Sequence, residues 1–206
     1  MIDLAREGGI WTATLNRPDK ANALTEDMLA ELADIAEAAA AAPQDARALI
    51  LTGAGKVFSA GADLNAARAG LATSAVWERL SSALAALPCL TVAALNGTVA
   101  GGAIGMALAC DLRVAVPGAK LFYPVMKLGF LPQPSDPARL AALVGPARAK
   151  LILLTGARID AETAHHWGLF DRLVAPDDLL SEAHALAEHS LAATPEHAAA
   201  IKALIR

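Results

Sequence analysis

Apolar positions in the first two-thirds of the chain alternate between two rhythms. Ile10-Trp11-Thr12-Ala13-Thr14-Leu15 is a short apolar-rich run closed by Asn16-Arg17-Pro18-Asp19, which predicts a strand and a turn. Met28, Leu29, Leu32, Ile35, Ala36 and Ala39 then recur at helical spacing. Thr25 is placed to cap that helix, Glu26 and Asp27 suit its positive end, and Pro43 stops it. Ala48-Leu49-Ile50-Leu51-Thr52 predicts a buried strand, and a helix over 75–87 leads to another strand over 90–95. A buried helix from about Gly101 to Ala109 and a strand over 112–116 follow.

The remainder reads as mainly helical. Ser135-Asp136 precedes a helix through 139–143, Pro146 opens another, and Asp160 caps a third that Gly168 stops. An extended piece covers 169–174, with helices after Pro176 and Pro195. Strands alternating with helices predict an α/β core. With no linker or internal repeat in view, one domain spanning 1–206 is expected, its core ending near residue 174 and a helical tail covering 175–206.

Composition narrows the function. A formal charge of −4 with no Lys/Arg cluster argues against nucleic acid as partner. Two cysteines, Cys89 and Cys110, make no disulfide framework and suit a reducing, cytoplasmic setting. No charge occurs over the 31 residues from Leu80 to Cys110, longer than the roughly 20 a membrane helix needs. Pro88, Asn96-Gly97 and Gly101-Gly102 interrupt that run, so it reads as a helix end, a strand and a buried helix rather than a span. The first seven residues lack the basic and apolar regions of a signal peptide.

Metal binding is not expected, because the five histidines lie on predicted C-terminal helices without ligand spacing. The stretch Ala100-Gly101-Gly102-Ala103-Ile104-Gly105 lacks the first glycine of a dinucleotide fingerprint, and no acidic residue follows at the required distance. Two glycine-bearing turns remain, Lys56 through Leu64 and Asn96 through Gly102, each after a predicted strand. Small residues let a ligand approach the backbone, and free N–H groups at a helix start favour negative charge. Two such turns could aim two N–H donors at one carbonyl oxygen; the same residues also suit close packing of helix on sheet.

At these residues the chain resembles the crotonase, or enoyl-CoA hydratase/isomerase, superfamily. The ordered matches are Leu15-Asn16-Arg17-Pro18, Asn22-Ala23-Leu24, Leu51-Thr52-Gly53, Phe58 through Leu64, Asn96-Gly97 with Gly101-Gly102, Cys110-Asp111-Leu112-Arg113, Thr155-Gly156, and Ala164 with Gly168-Leu169. The resemblance implies a ββα superhelix, assembly as a homotrimer or hexamer, and an acyl-CoA thioester as ligand, with no cofactor beyond the coenzyme A carried by the substrate. It places the backbone N–H groups of Ala62 and Gly102 in an oxyanion hole. Lys20, Ala21, Ala60, Gly61, Asp63, Leu64 and Gly101 fall where the family binds its substrate.

The departures carry as much information. Family hydratases use two glutamates; motif alignment puts the first at Gly105 and the second at Val125, neither able to move a proton. The aspartate of some isomerases falls at Gln133, a polar residue that could contact substrate but is not an acid. Asp136 is the nearest carboxylate in sequence and a candidate acid/base, with helix capping as its alternative role. The resemblance also implies further helices beyond Arg206. Two functions stay open: an acyl-CoA lyase or isomerase in fatty acid metabolism, and a non-catalytic acyl-CoA-binding protein of the same fold.

Overall fold

The computed structural model describes residues 1–205. From the N-terminus run β1 (Ile2–Glu7), β2 (Ile10–Leu15), α1 (Glu26–Ala41), β3 (Ala48–Gly53), β4 (Val57–Ser59), α2 (Leu64–Arg68) and α3 (Val76–Ala86). Then come β5 (Leu90–Leu95), β6 (Thr98–Ala100), α4 (Ala103–Ala109), β7 (Leu112–Ala115), β8 (Lys120–Phe122), α5 (Val125–Leu128), α6 (Asp136–Val144) and α7 (Pro146–Thr155). The chain closes with β9 (Ile159–Asp160), α8 (Ala161–His166), β10 (Arg172–Leu173), α9 (Leu179–Leu186), α10 (Glu188–Ala192) and α11 (Pro195–Ala203).

The strands sort into two sheets, in the orders β1-β2-β3-β5-β7-β10 and β4-β6-β8-β9. All pairings are parallel except β1 with β2 and β8 with β9. Three times in succession a strand of the large sheet turns directly into a strand of the small one: β3 into β4, β5 into β6, β7 into β8. Helices return the chain each time, so a ββα unit repeats in space although no repeat shows in the residues. The short strands β4, β6 and β8 were not expected; at three residues each they are too brief to display a period of two.

Most of the expected long elements are present. Thr25 caps α1 by accepting from the Met28 N–H at 3.3 Å, and Asp160 caps α8 by accepting from the Thr163 N–H at 2.8 Å. The uncharged run from Leu80 to Cys110 is divided among α3, β5, β6 and α4, and no helix among the described residues is long and apolar enough to cross a membrane. The edge strand β1 was missed because Asp3, Arg6 and Glu7 mask it; it pairs from Ile2 with Leu15 to Glu7 with Ile10. The helix expected from about Gly101 starts at Ala103, because Gly101 takes a left-handed φ of 56°. The tail is tied down by Arg47, which donates to the Ser190 and Ala193 carbonyls, and by Lys202, 2.6 Å from Asp111.

Candidate functional site

The paired sheets bring the two glycine turns side by side. β4 delivers Ser59, whose Oγ donates to the Asn22 carbonyl at 2.8 Å and accepts from the Gly61 N–H at 3.1 Å. Leu24 bridges this turn in parallel register: its N–H donates to the Gly61 carbonyl, and its carbonyl accepts from the Asp63 N–H, both at 2.8 Å. A parallel bridge uses the residues flanking its centre. The Ala62 N–H is therefore turned away from Leu24, and it has no acceptor among the described residues.

In the second turn the Gly101 N–H donates to the Phe122 carbonyl at 3.1 Å, and Gly102 caps α4 with φ −60°. The first N–H groups of a helix have no intrahelical partner. That of Gly102 has none elsewhere among the described residues. The turns touch through glycine: a Cβ on Gly61, where φ is 91°, would stand 2.8 Å from the Ala100 carbonyl oxygen and 3.4 Å from Gly101 Cα. Trp77, buried and donating its indole N–H to the Leu71 carbonyl, backs the second turn; a Cβ on Gly102 would meet its ring at 3.0 Å. Two unpaired backbone donors in adjoining turns can serve an oxygen from outside the chain.

Residues expected to flank a ligand fall around the first turn. Lys20 is exposed, with no ion-pair partner for its ammonium among the described residues, and Leu64 is 74% exposed. The Ala21 carbonyl accepts from the Ala60 N–H at 2.9 Å, so the Lys20–Ala21 bend lies against the turn. Asp63 is differently employed. Its carboxylate accepts from Arg17 at 2.8 Å and from the Asn65 and Ala66 N–H groups, capping α2. Those bonds, Arg17 first, hold its carboxyl below the usual range. Buried Asn22, which the sequence marks only as part of the Asn22-Ala23-Leu24 match, staples the bend by donating to the Ala54 and Val57 carbonyls and accepting from the Arg17 N–H.

The acid positions give a different picture. Val125 is buried at the start of α5, and among the described residues Gln133 makes main-chain bonds only: its N–H donates to the Tyr123 hydroxyl at 3.3 Å, and its carbonyl accepts from the Asp136 N–H. Asp136 is not a capping residue. Ser135 occupies the cap position of α6, and the Asp136 side chain points into the seam between α4 and α6 with 0% exposure. There it occupies the room that Gly105 leaves: a Cβ on Gly105 would lie 2.7 Å and 3.1 Å from the two carboxylate oxygens.

One oxygen, Oδ2, accepts from the Tyr123 hydroxyl at 2.8 Å; the other, Oδ1, is buried without a partner among the described residues. Burial pushes the Asp136 carboxyl up to about 6 from an ordinary 3.8, opposed by the Tyr123 bond and by Arg139 and reinforced by Glu78. Burial also pushes the Tyr123 phenol upward, keeping it a donor. Glu78 of α3 accepts from the Ser135 N–H at 3.2 Å and from its hydroxyl, anchoring the start of α6. No role for Tyr123 or Glu78 is legible in the sequence, since nothing local marks a buried phenol or a carboxylate that braces a distant helix.

A cavity of about 760 Å³ lies elsewhere, between the ends of α4 and α6 and the tail helices. It is lined by residues such as Leu108, Leu143, His197 and Ile201, and neither the two turns nor Asp136 reaches it. Size is outweighed here by chemistry, because free donors and a perturbed carboxyl gather at the turns and the seam.

Comparison with known proteins identifies the family and the fold. A family model for enoyl-CoA hydratase/isomerase matches residues 5–206. A probable enoyl-CoA hydratase of Mycobacterium leprae is 41% identical over 177 residues, covering 84% of this chain and 68% of that protein. A 1,2-epoxyphenylacetyl-CoA isomerase of Escherichia coli is 35% identical over 192 residues, covering 89% and 73%. The crystal structure of an enoyl-CoA hydratase/isomerase from Pseudoalteromonas atlantica superposes with a TM-score of 0.91 at 31% identity, over 99% of this chain and 82% of that one.

Proposed function

The chain belongs to the enoyl-CoA hydratase/isomerase family, and we propose that it binds an acyl-CoA thioester with the carbonyl oxygen held by the N–H groups of Ala62 and Gly102. These donors stabilise the enolate formed when a proton leaves C2. The observation that carries this reading is that both N–H groups lack an acceptor among the described residues while the turns bearing them are in contact. Preorganised donors of this kind lower a barrier by about 3–4 kcal/mol each. Lys20, Ala21, Ala60 and Leu64 flank the first turn and would meet the coenzyme A portion, with Lys20 suited to a phosphate. Asp63, its carboxylate already engaged, contributes by bracing the turn. Coenzyme A enters as part of the substrate.

The reaction this site favours is a proton shift within the acyl chain, an isomerase-type reaction, rather than addition of water. Hydration needs a base for water and an acid for C2, and Gly105 and Val125 supply neither. A positioned acid or base contributes about 10²–10⁴-fold. A second reading, thioester binding without turnover, draws on the zero exposure of Asp136. A panel of acyl-CoA esters, followed by calorimetry, thioester absorbance and product mass, decides between them. The expected outcome is binding of several esters with crotonyl-CoA hydrated only at a trace rate. Hydration at tens of turnovers per second would show that the chain has a second acid/base group.

A further inference from the structure

From the seam between α4 and α6 we infer that Asp136 supplies the acid/base carboxylate from the opposite helix, in the space that Gly105 vacates, and that Tyr123 positions it. This rests on the thioester reading above. A side chain at residue 105 and the carboxylate of Asp136 cannot share that space, since the two sites for an added Cβ and Oδ1 are only 2.7 Å apart. Gly105 is thus the counterpart of Asp136: the helix that bears a glutamate in family hydratases gives up its side chain, and the neighbouring helix fills the gap with a carboxyl group.

The hydrogen bonding differentiates the two oxygens. Tyr123 occupies Oδ2, and its ring is fixed by burial and by the bond its hydroxyl accepts from the Gln133 N–H. Oδ1 is left as the one buried side-chain N or O atom without a hydrogen-bond partner among the described residues. Buried polar atoms are ordinarily paired, and an exception calls for an explanation. A carboxylate with one oxygen fixed and the other unpaired has the form of a base awaiting a proton. Oδ1 is buried, and it faces Gly105, one helical turn along α4 from the Gly102 donor.

For a 3-enoyl thioester the step balances without any co-reactant. Oδ1 takes a proton from C2; the C–H electron pair becomes the C1–C2 double bond, and the carbonyl pair moves onto the oxygen held by Ala62 and Gly102. The protonated carboxyl then returns that proton to C4. As it does, the C3–C4 π pair forms the new C4–H bond, the C1–C2 double bond moves to C2–C3, and an oxygen pair re-forms the carbonyl. One carboxyl group serves both transfers, consistent with the absence of acids at Gly105, Val125 and Gln133.

The test compares wild type with Asp136→Asn, using 3-hexenoyl-CoA for conversion to the 2-enoyl isomer, deuterium uptake from D₂O by mass spectrometry, and calorimetry with hexanoyl-CoA for binding. Asparagine keeps the shape and removes the base, so binding should stay within threefold while conversion falls 10²–10⁴-fold. Restoring a carboxylate from the α4 side with Gly105→Glu plus Asp136→Gly should recover at least tenfold over Asp136→Asn, provided circular dichroism shows a native fold. Conversion by Asp136→Asn within threefold of wild type would overturn the assignment. So would a wild type that binds hexanoyl-CoA yet neither converts 3-hexenoyl-CoA nor takes up deuterium. A wild type that binds no thioester would instead overturn the function proposed above.

Discussion

The turns that meet at Gly61 and Gly101 are built of backbone, whereas the seam between α4 and α6 is built of side chains. In the turns, the groups offered to a ligand are the N–H donors of Ala62 and Gly102, and the small residues around them keep those donors accessible. Such a device is fixed to its sequence position, since the N–H belongs to the chain path itself. In the seam, the group on offer is a carboxyl, and a carboxyl can arrive at one point in space from either helix. The contrast teaches that main-chain chemistry conserves an address in the sequence, while side-chain chemistry conserves only a location.

The largest effect expected from testing this contrast is at Gly102. Its φ of −60° already suits proline, and its N–H has no intramolecular partner among the described residues, so Gly102→Pro removes a donor without breaking a bond of the fold. Contact of the ring with Trp77 requires that folding be verified by circular dichroism. On the thioester reading, kcat on 3-hexenoyl-CoA should drop about 10²–10³-fold. Unchanged kinetics in a folded variant would remove Gly102 from the site.

A smaller effect belongs to the seam and runs the opposite way. Asp136 has its carboxyl raised from 3.8 to about 6 in the folded chain, so the native state holds that proton more tightly than the unfolded state does. Its contribution to stability is present below pH 3.8 and is lost as pH rises through about 6. The full span corresponds to about 3 kcal/mol. Asp136→Asn should therefore raise the melting temperature at pH 8, with the gain shrinking towards pH 4. A variant less stable than wild type at pH 8 would mean that the carboxylate is better solvated than its burial implies.

The smallest expected change is at Tyr123. The groups acting on Asp136 are Tyr123 from the turn before α5, Arg139 from α6 itself and Glu78 from α3; the first two favour its charged form, and Glu78 opposes it. Tyr123→Phe removes the donor to Oδ2, so the acidic limb of the conversion profile should move to higher pH, by less than about one unit for one lost hydrogen bond of ~1 kcal/mol. A profile that keeps its midpoint and changes only in height would assign Tyr123 a packing role alone.

The amino-acid pattern by itself determined the α/β alternation, the long helices with their Thr25 and Asp160 caps, and the two glycine turns, because each is written in contiguous residues: a period, a cap or a small-residue run. It did not determine the second sheet, since three-residue strands such as Thr98–Ala100 carry no readable period and pair with residues far along the chain. Nor did it determine the state of Asp136. Ser135-Asp136 at a helix start looks like a cap, and only the packing of α6 against α4 turns that carboxyl inward. Gly105 reads in sequence as a missing acid; in three dimensions it is the vacancy that Asp136 fills. Local propensity acts between neighbours in the chain, whereas desolvation and steric exclusion act between whatever the fold brings together.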